Sequence, residues 1–408
     1  MKKVLTACFF LLMPQFAIAA IKVGVWKENI APVASEITDT CMGGYGLPLT
    51  KPRCGVGDIH DYLSVRAIYI EGRNKNEQLS MLVFDASGLG DSMINDIRKR
   101  VDVLSDRIDT DNLIVIATHT HAGLDFQGIW GGVSQGYRDR IIDMAARTLV
   151  QAQVTSQSVN AYVSKARIPV SNRRGWEQVD NGVTTLFFDS KLNGQRVATL
   201  VNASAHPTIL DKTNYQYSSD YIYSLRSRVE GSRGGLTIFV NGILGDAQFD
   251  VSERTFDKAI EVGNLVADAV IKSERKRKKV RGSLKVSTIS FSHPVSNNSI
   301  IGLQKMGELD LNLDKSNRIN VDMKYARLGH NVSLLSFPGE ALTGLGLPIK
   351  RMMGGKYKIF LGLANASYGY FIPSEEYGKI PNRNTEEMFC MDKDAADNIK
   401  EVIKAHLR

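Results

Sequence analysis

Apolar runs of strand length, most of them followed by a polar loop, recur along this chain, and stretches of helical period lie between them. Continuous or alternating apolar positions predict strands over 21–26, 63–70 and 79–84, then from 114 onward, and later over 183–189, 195–203, 236–240, 284–291, 332–337 and 358–363. A period near 3.6 predicts helices over 92–104, 134–152, 221–229, 256–271 and 394–406; in the second of these Ile141, Met144, Ala145 and Leu149 fall on one side. The link between 183–189 and 195–203 carries Asn193-Gly194, a hairpin signal. Strands and helices mixed in this way, without an internal repeat or a low-complexity linker, predict one large α/β domain.

The chain is organised around Ile114-Val115-Ile116-Ala117, which runs into Thr118-His119-Thr120-His121 and then Gly123. If the strand continues through His121, alternation places His119 and His121 on one face. Neutral imidazole is the commonest protein metal ligand and the usual proton carrier near neutral pH. Two readings stand at this point: a metal-assisted active site, or a pair of satisfied polar residues at a strand end. Other strands run into polar loops in the same way, at His206, at Asp246 and Gln248, at Glu340 and at Tyr370. Ligands of α/β folds gather at the carboxyl ends of strands, so the repeated pattern favours a site there.

Composition changes this picture only at its edges. With 43% hydrophobic and 23% charged residues the chain has enough apolar side chains for a sizeable core. A formal net charge of +8 raises nucleic acid as a partner, but the densest basic run, 272–281, has no interleaved aromatic residue and reads as a solvated helix end or connector. The N-terminus reads as a secretory signal: Lys2 and Lys3, an apolar segment from Val4 to Leu12, then small residues with cleavage expected after Ala19. This predicts a mature chain over 20–408, exported to the periplasm or secreted, with at most peripheral membrane contact. No later run reaches the roughly 18 apolar residues of a membrane span. Cys41 and Cys54 flank Gly43-Gly44-Tyr45-Gly46 and are candidates for a disulfide in an oxidising compartment, which leaves Cys390 as the odd thiol.

Two histidines and a carboxylate form a common catalytic zinc set with one position open, and His119, His206 and Glu340 fit it. Rival patterns fail: position 123 is glycine where an HxHxDH site needs aspartate, and no HExxH helix is present. Ala117-Thr118-His119-Thr120-His121, Asn172-Arg173, Ala205-His206-Pro207-Thr208, Gly245-Asp246, Pro338-Gly339-Glu340, and Tyr370 with Glu375-Glu376-Tyr377 stand in the order found in one family. From about residue 21 to 377 the chain resembles the catalytic domain of the neutral/alkaline, non-lysosomal ceramidases.

The resemblance implies a ceramidase-like α/β domain with mixed β-sheets flanked by helices. It also implies secretion and a single zinc ion that assists hydrolysis of the amide bond of N-acyl sphingosines. His119, His206, Glu340 and Tyr370 match the zinc ligands, and His121 and Arg173 match positions that contact substrate. Three departures qualify the expectation. The family's Gly-Asp-x-Ser segment reads Gly245-Asp246-Ala247-Gln248, and glutamine cannot act as an alkoxide nucleophile, although its amide can orient water. Pro381-Asn382-Arg383-Asn384 stands where the family has Tyr-Glu-Gly, and the chain ends before the family's C-terminal β-sandwich domain. These differences argue against ceramide itself. The expectation is a zinc-dependent hydrolase that cleaves an amide or ester of an N-acylated lipid or amine through metal-activated water, with His121, Asp246 and Gln248 in the catalytic group. The alternative is a catalytically inactive paralogue that binds a ligand or partner in the old pocket.

Overall fold

Alternation along the strands decides which layer each residue faces, and two faces of one sheet carry two different cores. The computed structural model describes residues 21–408 apart from 47, 52, 56, 74–76 and 380–384. The expected signal segment, the end of the turn expected at 71–74 and Pro381-Asn382-Arg383-Asn384 lie outside the described residues. The larger sheet is built from β1 (Ile21–Asn29), β2 (Ser64–Glu71), β3 (Gln78–Phe84), β4 (Leu113–Ala117), β5 (Gln157–Arg167), β6 (Gly182–Ser190), β7 (Arg196–Ala203) and β8 (Leu236–Asn241). Across the sheet their order is β8-β7-β6-β5-β1-β2-β3-β4, with the short strand Lys278–Lys279 added beside β5. The β7/β8 and β3/β4 pairs are parallel and the other neighbours antiparallel. All seven residues of β3 are buried, as a strand covered on both faces requires.

On the outer face, Leu82, Phe84 and Val115 pack with Met93, Ile97, Ile141 and Leu149 of the helices Asp91–Leu104 and Gln135–Val154. Phe187, Val201 and Phe239 meet the helices Tyr221–Arg233 and Phe256–Glu274 on the same side. The alternate residues Met81, Ile116, Leu186, Phe188 and Leu200 turn inward, onto Leu334, Ile359 and Leu361 of a second sheet. That sheet consists of β9 (Leu284–Pro294), β10 (Arg318–Leu328), β11 (Val332–Ser336) and β12 (Tyr357–Leu361) in sequential order, its last pair parallel. Its far face carries Leu335, Phe337 and Phe360 against Leu345, Ile349, Ile399 and Ile403 of the helices Thr343–Met352 and Ala395–Leu407. The fold is thus a helix–sheet–sheet–helix sandwich, an α/β domain with mixed sheets flanked by helices.

The two sheets are stitched together where their strands end. The Asn365 amide donates to Val115 O (2.8 Å), Ala117 N to Leu363 O (3.3 Å) and Gly362 N to Asn241 O (3.1 Å). The Asn241 side chain donates to the carbonyls of Ala117 (3.0 Å) and Thr118 (2.7 Å). Loops leaving β4, β7, β8, β11 and β12 are therefore gathered at one place, as the repeated polar strand ends implied.

Three sequence expectations need correction. The strand expected to run through His121 stops at Ala117, and His119 takes a left-handed conformation with φ +66°. Strand alternation is therefore not what brings the two histidines together. Strand β10 and the helix Asn298–Lys305 were not expected. Ile319, Val321 and Met323 do alternate on β10, but the charges at Arg318, Asp322, Lys324 and Arg327 mask the period. The basic run begins as a helix end but then pairs Lys278 and Lys279 with β5, so part of it is a strand at the sheet.

Candidate metal centre

The left-handed bend just after β4 brings His119 against Ala86 and Ser87, on the segment that follows β3. His119 N donates to Ala86 O (2.9 Å) and its Nδ1 lies on Ser87 O, while His206, in the loop after β7, donates from N to Ala247 O (2.9 Å) with Nδ1 at 3.2 Å from the same oxygen. A carbonyl at Nδ1 fixes the tautomer with the proton there and leaves the Nε2 lone pair free for a ligand. The left-handed φ at a non-glycine residue costs about 1–2 kcal/mol and persists because the surrounding hydrogen bonds over-determine it.

Glu340 arrives from the second sheet. It lies in a two-residue parallel bridge, Glu340–Ala341 against Tyr370–Phe371, which sets Glu340 beside Tyr370. Its Oε2 lies 3.4 Å from His119 Nε2 and 2.9 Å from His206 Nε2. Yet His206 Nε2 and Glu340 Oε2 are both buried without an aligned hydrogen-bond partner. Short separation without alignment is what converging lone pairs give, and a cation between them would satisfy both. His121 Nε2 is 3.2 Å from His119 Nε2, and the ligand atoms of His119, His121 and His206 lie within 4.8 Å of one another. This buried group can bind a metal ion.

Electrostatics favour the ligand forms. Burial, then the neighbouring histidine charges, holds His121 well below its usual range, and burial with the charge of Arg173 brings His206 down to about 4. Both are neutral imidazoles at pH 7. Burial alone would raise Glu340, but His119 and His206 outweigh it and keep the carboxyl ionised well below its normal pKa. Burial raises the Tyr370 phenol, with Arg173 opposing, so its oxygen carries a proton until something displaces it. The neighbouring Tyr368 turns its hydroxyl away, to Asp91 Oδ2 (3.3 Å).

The other sequence-predicted residues form a flank. Arg173 donates to Gly245 O (2.8 Å), pairs with Glu386 (3.1 Å) and lies over the Tyr370 ring at 5.3 Å. Arg174 is buried and pairs with Glu376 (3.1 Å), which excludes a plain surface charge. Asp246 is fully buried and accepts from Thr343 N, Thr343 Oγ1 and the Asn172 amide, so it ties two of the motif segments to the start of the helix Thr343–Met352. Gln248 is partly exposed, and its amide donates to Asp250 Oδ1 at 3.4 Å.

Above His119, His121, Glu340 and Tyr370 opens a cavity of about 100 Å³, walled by Ile129, Trp130, Ile300, Leu309, Phe389 and Met391. Arg173, His206, Asp246 and Gln248 do not line it. Asp125, unremarked in the sequence, builds one wall by accepting from the backbone of Gln127, Gly128, Trp130 and Gly132. Arg53, equally unremarked, lies under the histidine loop and donates to His121 O at 2.7 Å. Cys41 and Cys54 form a disulfide, and Cys390 is buried and free.

No protein-family model matches the chain, and no curated protein does. Solved structures do. Neutral ceramidase from Pseudomonas aeruginosa is 17% identical with a TM-score of 0.78, over 95% of this chain and 75% of that one. A ceramidase complexed with C2 is 15% identical with a TM-score of 0.79, over the same shares of the two chains. The chain has the fold of these ceramidases along nearly its whole length, and the resemblance read from its motifs is matched by that fold.

Proposed function

We propose that this chain is an exported, zinc-dependent hydrolase that cleaves the amide, or an ester, of an N-acylated lipid or amine. The observation that carries the reading is the buried group His119, His121 and His206, able to bind a metal ion, with His119 and His121 at the floor of a largely apolar cavity. The fold, shared with proteins described as ceramidases, supports it. His119, His206, Glu340 and Tyr370 would hold the ion; their fixed tautomers and the orphaned Nε2 and Oε2 atoms fit one. Zinc bound there supplies Lewis-acid polarisation of a carbonyl oxygen and acidifies water.

The chain's own residues do the rest. Ile129, Leu309 and Phe389 receive an acyl chain and exclude bulk water, which strengthens the electrostatics at the floor. His121, neutral at pH 7, takes the proton released as water oxygen bonds to the acyl carbon, then returns it to the leaving nitrogen as the C–N bond breaks. Arg173, held by Glu386 and Gly245, lies over the Tyr370 ring and steadies that side chain from behind the cavity. Asp246 positions Arg173 and the Glu340 segment. Export follows from the N-terminal signal and accords with the disulfide.

A second reading, an inactive paralogue that binds a ligand, is favoured by one observation: the Gln248 amide is engaged by Asp250. Metal analysis of the purified protein, joined to a screen of N-acyl and O-acyl compounds, separates the two. Zinc at one per chain with chelator-sensitive turnover is expected. Tight acyl-ligand binding without turnover would establish the second reading.

A further inference from the structure

His121 differs from the other two histidines of the centre in one respect. Carbonyl oxygens engage Nδ1 of His119 and of His206, whereas His121 Nδ1 is buried without a hydrogen-bond partner. Something other than a hydrogen bond at that nitrogen must fix its ring. Its surroundings come from the loop closed by the Cys41–Cys54 disulfide. Gly44, at φ +93°, packs flat on the imidazole, where a Cβ would stand 2.3 Å from Cγ, and Tyr45 meets the ring edge-on with centroids 4.7 Å apart. Backbone bonds from Gly43 N to Gly123 O (3.1 Å) and from Asp125 N to Cys41 O (3.0 Å) bind the same loop to the chain just beyond His121.

Arg53 stands inside this loop with 1% of its surface exposed. Among the described residues its hydrogen bonds run to backbone carbonyls: Gly43 O, His121 O at 2.7 Å and Asn214 O at 3.4 Å. Its guanidinium lies 4.9 Å from the Tyr45 ring centroid, and its Nε has no partner. Burying a guanidinium on neutral carbonyls carries a desolvation penalty, so a hydrophobic residue there would fill the space at less cost. The fork geometry of arginine lets one head reach carbonyls on separate segments, which a lysine head cannot do as well.

We propose that Arg53 is the positioning residue for His121. It clamps the carbonyls of Gly43 and His121, seats Gly44 and Tyr45 against the imidazole, and so holds a ring that no bond at Nδ1 holds. The disulfide keeps Arg53 at its post. The proposal rests on the hydrolase reading only for its consequence in turnover; the clamp itself is independent of it.

The test measures modification of each histidine by diethyl pyrocarbonate, mapped by peptide mass spectrometry, on the full mature chain with and without zinc. In Arg53→Met the rate at His121 should rise about tenfold, as loss of a local clamp predicts, with the rates at His119 and His206 and the zinc content unchanged. Arg53→Lys should recover part of the protection, and the Cys41→Ser/Cys54→Ser pair should shift His121 in the same direction by less. A His121 rate equal to wild type in folded Arg53→Met overturns the proposal, and so does equal acceleration at all three histidines. If Arg53→Met does not fold, Arg53→Lys and reduction of the wild-type disulfide decide in its place. Should no acyl compound be turned over, the hydrolase reading falls while the His121 result remains readable.

Discussion

Two buried carboxyls line the same cavity and the protein treats them in opposite ways. Glu340 stands between His119 and His206, whose attraction overrides burial and keeps it ionised far below its normal range. Asp91 has burial and the negative charge of Asp310 against it, only partly offset by hydrogen bonds from Asn312 N and Tyr368, and is pushed up to about 7. Charge is therefore tolerated at Glu340, where imidazoles meet it, and disfavoured at Asp91. A cavity so arranged suits a neutral, apolar chain whose single reactive group ends at the histidines.

The strongest way to break this contrast is to remove an imidazole. His119→Ala takes away a donor and one of the two groups that hold Glu340 ionised; we expect zinc affinity to fall by at least ~100-fold and turnover to disappear. Full metal occupancy in the purified variant, measured by elemental analysis, would refute the assignment. A third buried carboxyl sharpens the picture. Asp246 has no imidazole, and its acceptors are filled by Thr343 and Asn172. Asp246→Ala leaves those buried donors unsatisfied and should cost about 2–4 kcal/mol in chemical denaturation. A loss below ~1 kcal/mol would show that the segments hold together without it.

The Asp91 side of the contrast appears in the pH dependence of stability. Its folded pKa lies above its unfolded value, so its contribution is complete below about pH 4 and is lost as pH rises through about 7. Asp91→Asn should remove that component, on the order of 4 kcal/mol, and flatten the wild-type profile between about pH 4 and pH 7. Parallel profiles for the two proteins would mean that Asp91 is ionised in the fold after all.

Much of this site could be read in the sequence because each donor closes an apolar run: His119 after Ala117, His206 after Ala203, Glu340 after Ser336. Strand ends announce themselves by composition, and their convergence follows from how α/β sheets are built. Geometry within the loops could not be read in this way. The left-handed turn at His119 is set by Ala86 and Ser87, more than thirty residues away in sequence, and no local propensity encodes it. Arg53 was invisible for the same reason, since a lone arginine in a Gly- and Pro-rich loop looks solvated until the loop is folded over His121. Strand β10 was missed on other grounds: its apolar period is interleaved with charges.

The smallest expected effect concerns the position where the chain departs from the family pattern. Gln248 pairs with Ser171 in a two-residue bridge, and the adjacent Ala247 carbonyl engages both N and Nδ1 of His206. The backbone here supports His206, a proposed metal ligand, while the side chain faces Asp250. Gln248→Ala leaves that backbone in place, so zinc content should not change, and turnover should slow by less than ~10-fold as a single neutral amide contact is lost. Unchanged turnover would remove the Gln248 amide from the mechanism and leave proton transfer to His121. Loss of zinc would instead show that the Gln248 side chain holds the Ala247 carbonyl in register with His206, a support for the ligand rather than a partner in the chemistry.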